Sequence, residues 1–190
     1  ADWSGLSLAV GVALADALDP AGLGAVPAIQ LKWPNDLWLR DPRSPLGGRK
    51  LGGVLIETVP VGDRRMCVVG VGLNVLPQAV DEMETGYACL QEHWPDITAP
   101  AALAAVAAPL VEALRRFERQ GFAAFAERFR HRDLLVGRAV TTSLADLPVG
   151  VGAGVDARGA LLLAVGSQVR RIVGGEVSVR PAAAPGDAAC

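Results

Sequence analysis

The sequence predicts an α/β fold with two parts, a helix-and-hairpin unit followed by a small barrel of short strands. Three observations lead there. Residues 5–18 and 99–120 are long segments of helical character, the first rich in alanine and the second apolar along one face. Residues 51–59 and 65–75 are apolar strand-like runs joined by Gly62-Asp63, which reads as a hairpin. From Leu134 onward the texture changes to short apolar runs cut by turns at Leu147-Pro148, Asp156–Gly159, Gly166-Ser167 and Gly174-Gly175, the pattern of a small β-barrel.

The elements follow in order. Helix 5–18 ends at Asp19-Pro20. Residues 28–33 form a short strand, broken by Pro34-Asn35-Asp36, and residues 37–40 resume it. Residues 41–49 hold two prolines and two glycines and read as a mobile surface loop. The strand 51–59 is expected to be buried, and residues 76–94, without a clear period, are expected to be a long loop. After helix 99–120, Phe122, Phe125 and Phe129 recur at helical spacing and should pack inward. The expected divisions are 1–133, 134–180 and a disordered tail 181–190.

Composition narrows the function. Apolar residues make up 51% of the 190 residues, enough to bury a core, and the formal net charge of -2 argues against a nucleic-acid partner. No run is long and apolar enough to suggest a membrane span, and Ala1-Asp2-Trp3 shows no signal-peptide start. Cys67, Cys89 and Cys190 lack metal spacing, which fits a reduced cytoplasmic setting.

Arginine carries almost all the positive charge. The only lysines are Lys32 and Lys50 and the only asparagines Asn35 and Asn74, and all four fall in three short motifs. Lysine offers a compact ammonium that arginine cannot imitate. In Lys32-Trp33-Pro34-Asn35-Asp36, a cation and a carboxylate flank a rigid turn; the chemistry suits a magnesium nucleotide, and a capped β-turn would use the same residues. In Arg49-Lys50-Leu51-Gly52-Gly53, a lysine stands where a loop enters a strand. It could neutralise a carboxylate and a phosphate, or simply snorkel from a strand edge. In Gly70-Val71-Gly72-Leu73-Asn74, alternate glycines leave one sheet face bare, as the floor of a pocket or for close packing of a helix.

Together, KWPND, KLGG and GxGxN in this order resemble the biotin–protein ligase family. The resemblance runs from Gly5 to about Arg180 and takes in the closing Gly174-Gly175-Glu176 segment. It implies a class II synthetase-like fold, a mixed sheet with helices on one face, and then an SH3-like barrel. It implies that biotin and ATP give biotinyl-5′-AMP, and that a lysine of a biotin carboxyl carrier domain of a biotin-dependent carboxylase then attacks that anhydride. By the resemblance, Lys50 is the catalytic residue, touching the biotin carboxylate and the α-phosphate. Gly53, Leu55, Gly70 and Gly72 line the biotin pocket. Lys32, Trp33, Asn35, Asp36, Asn74 and Tyr87 serve the nucleotide, with Asp36 near Mg2+. A homodimer is compatible with the family.

The resemblance has one gap. The family's GRGRxGR loop, which closes over biotin, and a further biotin-contacting segment have no counterpart here and would precede Ala1. The sequence is therefore expected to be a truncated ligase, a ligase with a misassigned start, or a non-catalytic remnant, and poorly active alone. A lipoate–protein ligase of related fold is the nearest alternative, against which the KWPND and KLGG pairing speaks.

Overall fold

The computed structural model describes residues 2–22, 24–80, 83–147, 149–173 and 179–181, apart from the Arg65 side chain. The Gly174-Gly175-Glu176 segment and residues 182–190 lie outside them. Helix α1 (Leu6–Leu18) is apolar all round and nearly all buried, with Leu6, Val10, Val12 and Leu14 all at most 4% exposed. A helix without a polar face must be covered on every side. Here a sheet covers one side and helix α2 (Ala99–Gln120) the other. α2 starts where expected, its Thr98 hydroxyl capping the Ala101 amide at 3.3 Å, and it buries only the stripe Ala102, Val106, Ala113 and Phe117. Phe122, Phe125 and Phe129 pack inward around the start of α3 (Ala126–Arg132), each no more than 2% exposed.

The sheet is a meander of β1 (Ile29–Lys32), β2 (Asp36–Arg40), β3 (Gly48–Val61) and β4 (Arg64–Leu73), in that order. Each ladder between these strands is antiparallel, and the mixture of directions expected for the sheet occurs only as single parallel bridges, Leu31 with Asp133 and Lys50 with Tyr87. The 41–47 connection is shorter than expected, since Gly48 and Arg49 already belong to β3, and it is a hydrogen-bonded turn tied by the Ser44 hydroxyl to the Gly48 carbonyl at 2.9 Å. The described residues of 76–94 are irregular apart from the Tyr87 bridge and a single 3-10 turn at Leu90–Glu92.

One expectation fails. The apolar hairpin is not buried along its length, and Leu55, Val59, Val61, Met66 and Val68 are all at least 40% exposed. α1 covers β1, β2 and the near half of β3, while the hairpin runs on past it. Apolar content alone does not distinguish a covered strand from an uncovered one.

A second sheet follows: β5 (Ala139–Thr142), β6 (Val149–Val155), β7 (Leu161–Val165), β8 (Gln168–Ile172) and β9 (Val179–Pro181). Its order is β8-β7-β6-β5-β9, and no pairing closes it into a barrel among the described residues. Pro181, expected to open the tail, ends β9 opposite Val140. The sheet is tied to the first unit by the Trp33 indole N–H, which donates to the Gly159 carbonyl at 3.0 Å, and by Leu134 N–H to the Leu31 carbonyl at 2.9 Å.

At this junction Asp133 is 7% exposed, and its Oδ2 has no hydrogen-bond partner. Burial pushes its carboxyl from 3.8 up to about 6, against the opposing bonds from the Leu135 and Val136 amides. A raised carboxyl favours folding below its unfolded pKa, and that contribution is lost as pH rises through the folded value. Relative to Asp133→Asn, the wild type should therefore lose about 2 kcal/mol of stability between pH 4 and pH 7. Urea midpoints of both proteins across that range check this, and a pH-independent difference would contradict it.

Candidate active site

The site is built on one face of the first sheet, and strand register decides what stands there. Along β2, Asp36 and Trp38 share a face, and Lys32 pairs with Asp36 from β1. Across the next ladder, Trp38 pairs with Lys50 while Leu37 pairs with Gly52, so Leu51 is an extra residue in β3. Such a bulge re-aims the side chains beyond it. Lys50 and Gly53, three apart, therefore face the same way, and Leu51 and Val54 are buried, at 0% and 2% exposure. Without the bulge, Lys50 would share a face with Gly52 and Val54 and turn toward α1.

On that face Asp36 holds both lysines of the chain. Its Oδ2 lies 2.8 Å from Lys32 Nζ and its Oδ1 2.8 Å from Lys50 Nζ. Burial works to raise the Asp36 carboxyl, but Lys32 and then Lys50 outweigh it and hold it below the usual carboxylate range. Lys32 is buried over the Trp38 ring, 5.9 Å from its centroid, whereas the Lys50 side chain is 33% exposed. Two ammonium groups against one carboxylate leave one positive charge in excess. Lys50 has three N–H donors and spends one on Asp36, so it can still meet an anion.

Around this pair opens a cleft of about 400 Å³, lined by Asn35, Asp36, Lys50, Gly53, Leu55 and Gly70, with Val54, Val71 and Gly72 completing it. Its floor is bare because Gly53 pairs with Gly72 and Leu55 with Gly70. A Cβ on Gly53 would stand 3.5 Å from Asp36 Oδ1 and 3.9 Å from Lys50 Cε. Gly53→Ala should thus be tolerated, while the extra methyls of Gly53→Val enter the space where the two charges meet. If the cleft takes biotin, as the sequence resemblance implies, the valine variant should fold with wild-type circular dichroism and bind it at least about tenfold more weakly by calorimetry, roughly the cost of an overpacked contact. Unchanged binding would remove Gly53 from the site.

The remaining sequence-predicted residues are bonded to the backbone. Asn35 Nδ2 donates to the Val54 carbonyl at 2.8 Å, and the Asn35 carbonyl accepts from Val54 N–H at 2.9 Å, which pins the turn to β3. Asn74 Nδ2 donates to the carbonyls of Ala88 at 3.0 Å and Lys50 at 3.3 Å. Its amide therefore clasps the lysine's backbone to the long loop. Trp33 is 2% exposed and faces Gly159. Tyr87 is half-buried and donates its hydroxyl hydrogen to the Leu76 carbonyl at 2.7 Å. No group of three or more His, Cys, Asp or Glu side chains that could hold a metal exists among the described residues. Sequence reasoning missed the double pairing of Asp36, which depends on the bulge and so has no signature in residue type.

The biotin/lipoate A/B protein ligase family matches residues 3–74. The bifunctional ligase/repressor BirA of Escherichia coli is 35% identical over 182 residues, covering 94% of this chain and 54% of that protein. Along most of its length the chain is similar to biotin–protein ligases. The biotin–[acetyl-CoA-carboxylase] ligase of Mycobacterium tuberculosis is 33% identical over 187 residues, covering 92% of this chain and 62% of that ligase. The chain thus spans between about half and three-fifths of these relatives' lengths. The fold agrees with that of the Aquifex aeolicus biotin protein ligase in complex with biotin and ATP, at TM-score 0.77 and 24% identity, over 95% of this chain and 73% of that one. Among its described residues the chain has no helix long and apolar enough to cross a membrane.

Proposed function

We propose that the chain carries the central part of an ATP-dependent biotin–protein ligase, which forms biotinyl-5′-AMP and passes biotin to a lysine of a biotin carboxyl carrier domain. The observation that carries this reading is the Lys50 ammonium, fixed by Asp36 at 2.8 Å above a floor of Gly53, Gly70 and Gly72. Two anions must meet for adenylation, and a prepositioned cation lowers the cost of bringing them together. Gly53, Leu55, Gly70 and Gly72 would receive the apolar body of the acid. Lys32, Asn35, Asn74 and Tyr87 would shape the nucleotide side, Lys32 acting through Asp36 and Asn74 through the backbone of Lys50. Trp33 would support that side from beneath by its bond to Gly159.

A direct magnesium ligand does not fit this corner. Asp36 is the one acid lining the cleft, and both its oxygens are engaged by ammonium groups. We assign magnesium to the nucleotide's own phosphates. We further propose that residues 134–180 form an SH3-like unit that supports the first, and that the protein works in the cytoplasm, where ATP and the carrier are found.

The test is exchange of labelled pyrophosphate into ATP by the full-length protein. We expect exchange that depends on biotin. Exchange with lipoate instead would identify a lipoate ligase, and none with either acid would identify a non-catalytic member.

A further inference from the structure

Arg49 is the residue before the lysine, and neither the sequence motifs nor the cleft gives it a role. Its guanidinium is nevertheless heavily engaged. Nη1 donates to the Tyr87 carbonyl at 2.6 Å and to Glu92 Oε1 at 3.1 Å, and Nη2 to Glu92 Oε2 at 2.5 Å. Nε donates to Asp41 Oδ2 at 3.0 Å. Glu92 Oε1 also accepts the Cys89 amide at 3.0 Å, so the carboxylate is itself held to the loop. Such a two-pronged pair fixes direction as well as distance. The charges reinforce one another: the bond from Arg49 holds the Glu92 carboxyl low, and the bond to Glu92 raises the Arg49 guanidinium.

What this fork holds is the backbone of Lys50. Lys50 N–H donates to the Gly86 carbonyl at 3.0 Å, and the Lys50 carbonyl accepts from Ala88 N–H at 2.9 Å. Residues 86–88 thus bracket Lys50 as a short parallel strand would. The fit is close: a Cβ on Gly86, where φ is +64°, would stand 2.7 Å from Arg49 Cγ. The aliphatic stem of Arg49 therefore lies against the segment that the neighbouring lysine's backbone bonds.

We propose that Arg49 is a positioning residue, whose fork on Glu92 and the Tyr87 carbonyl locks the 86–92 segment against Lys50 and sets the lysine's place in the cleft. This rests on the reading that Lys50 serves adenylation, and it extends that reading to a residue outside the cleft. Alone, the lysine's pairing with Asp36 fixes the tip of a long, flexible side chain. The bracket fixes its root.

The experiment compares Arg49→Lys, Arg49→Ala and Glu92→Gln in the full-length protein by amide hydrogen exchange and by steady-state kinetics. Exchange at the Lys50 and Ala88 amides should accelerate at least about tenfold in both Arg49 variants, with the α1 amides unchanged, because a local opening leaves the core protected. Lysine should not rescue, since it lacks the fork. Glu92→Gln should lie between wild type and Arg49→Ala. In adenylate formation, kcat should fall by about tenfold to a hundredfold, as for a slightly misplaced catalytic group, with KM for biotin within about twofold. Exchange that is unchanged, or that rises equally across the core, overturns the proposal, as does an Arg49→Lys protein with wild-type kcat. If the wild type shows no adenylation at all, the functional reading fails, and the exchange pattern alone decides whether Arg49 locks the segment.

Discussion

Full-length protein carrying Lys50→Ala is expected to form adenylate 10²–10³ times more slowly than wild type, a loss on the order of 3 kcal/mol in the transition state. The Lys50 ammonium sits 2.8 Å from Asp36 Oδ1 and is the cation that lines the cleft. Lys32 cannot replace it, being buried against Trp38 and aimed at the other Asp36 oxygen. Without Lys50, the carboxylate and the α-phosphate would meet unscreened, beside an Asp36 that has lost one partner. Lys50→Arg should recover little, because a planar fork does not fit the place of a point charge between Asp36 and Gly53. Single-turnover adenylate formation by the three proteins, with folding checked by circular dichroism, decides the matter. An arginine variant near wild type would mean that the side chain only snorkels from the strand edge.

The largest stability effect is expected from Arg132→Ala, at about 3–5 kcal/mol. Arg132 is 1% exposed. Its Nε reaches Asp16 Oδ1 at 2.8 Å, its Nη1 reaches Asp19 Oδ2 at 3.0 Å and the Ile29 carbonyl at 2.8 Å, and its Nη2 bonds the Asp19 carbonyl. One side chain thus joins the end of α3 to the end of α1 and the start of β1. Removing it leaves Asp19, itself 7% exposed, as a buried charge with one remaining bond from Ile29 N–H at 2.9 Å. The pH dependence identifies the mechanism. Burial raises the Asp19 carboxyl, but the Ile29 amide and Arg132 outweigh it, so its pKa is depressed in the folded state. That stabilisation is present above the unfolded pKa and lost as pH falls through the folded one. The penalty of Arg132→Ala should therefore be full at pH 7 and shrink below about pH 4, where Asp19 takes up a proton instead. Urea denaturation at both pH values checks it, and an equal penalty at each would assign the loss to packing alone.

The sequence was informative where chemistry is scarce. A chain that spends only two lysines and two asparagines, all in three motifs, points to a candidate site by composition, and the helix 99–120 shows itself by an apolar stripe. What stayed hidden depends on register and on neighbours distant in sequence. Whether Asn74 faces a ligand or clasps the Lys50 carbonyl depends on where residue 88 passes, and no local pattern reports that. Trp33 reads as part of a binding motif, yet its indole serves Gly159, over a hundred residues away. The exposed half of the hairpin looks in composition like its buried half.

The extra residue at Leu51 has a consequence for how this strand can change. A strand counts in twos, and the insertion shifts the count by one between Lys50 and the glycines that follow. Replacing Leu51 by another apolar residue keeps the count and should leave the lysine where it is. Deleting it would leave Lys50 two residues from Gly53 in an unbroken ladder, so strict alternation would keep the lysine on the cleft face while the strand loses its bulge. What the cleft depends on here is therefore less the residue at 51 than the irregularity that absorbs it: a straightened strand that kept Leu51 would turn Lys50 away from Gly53 and toward the helix layer.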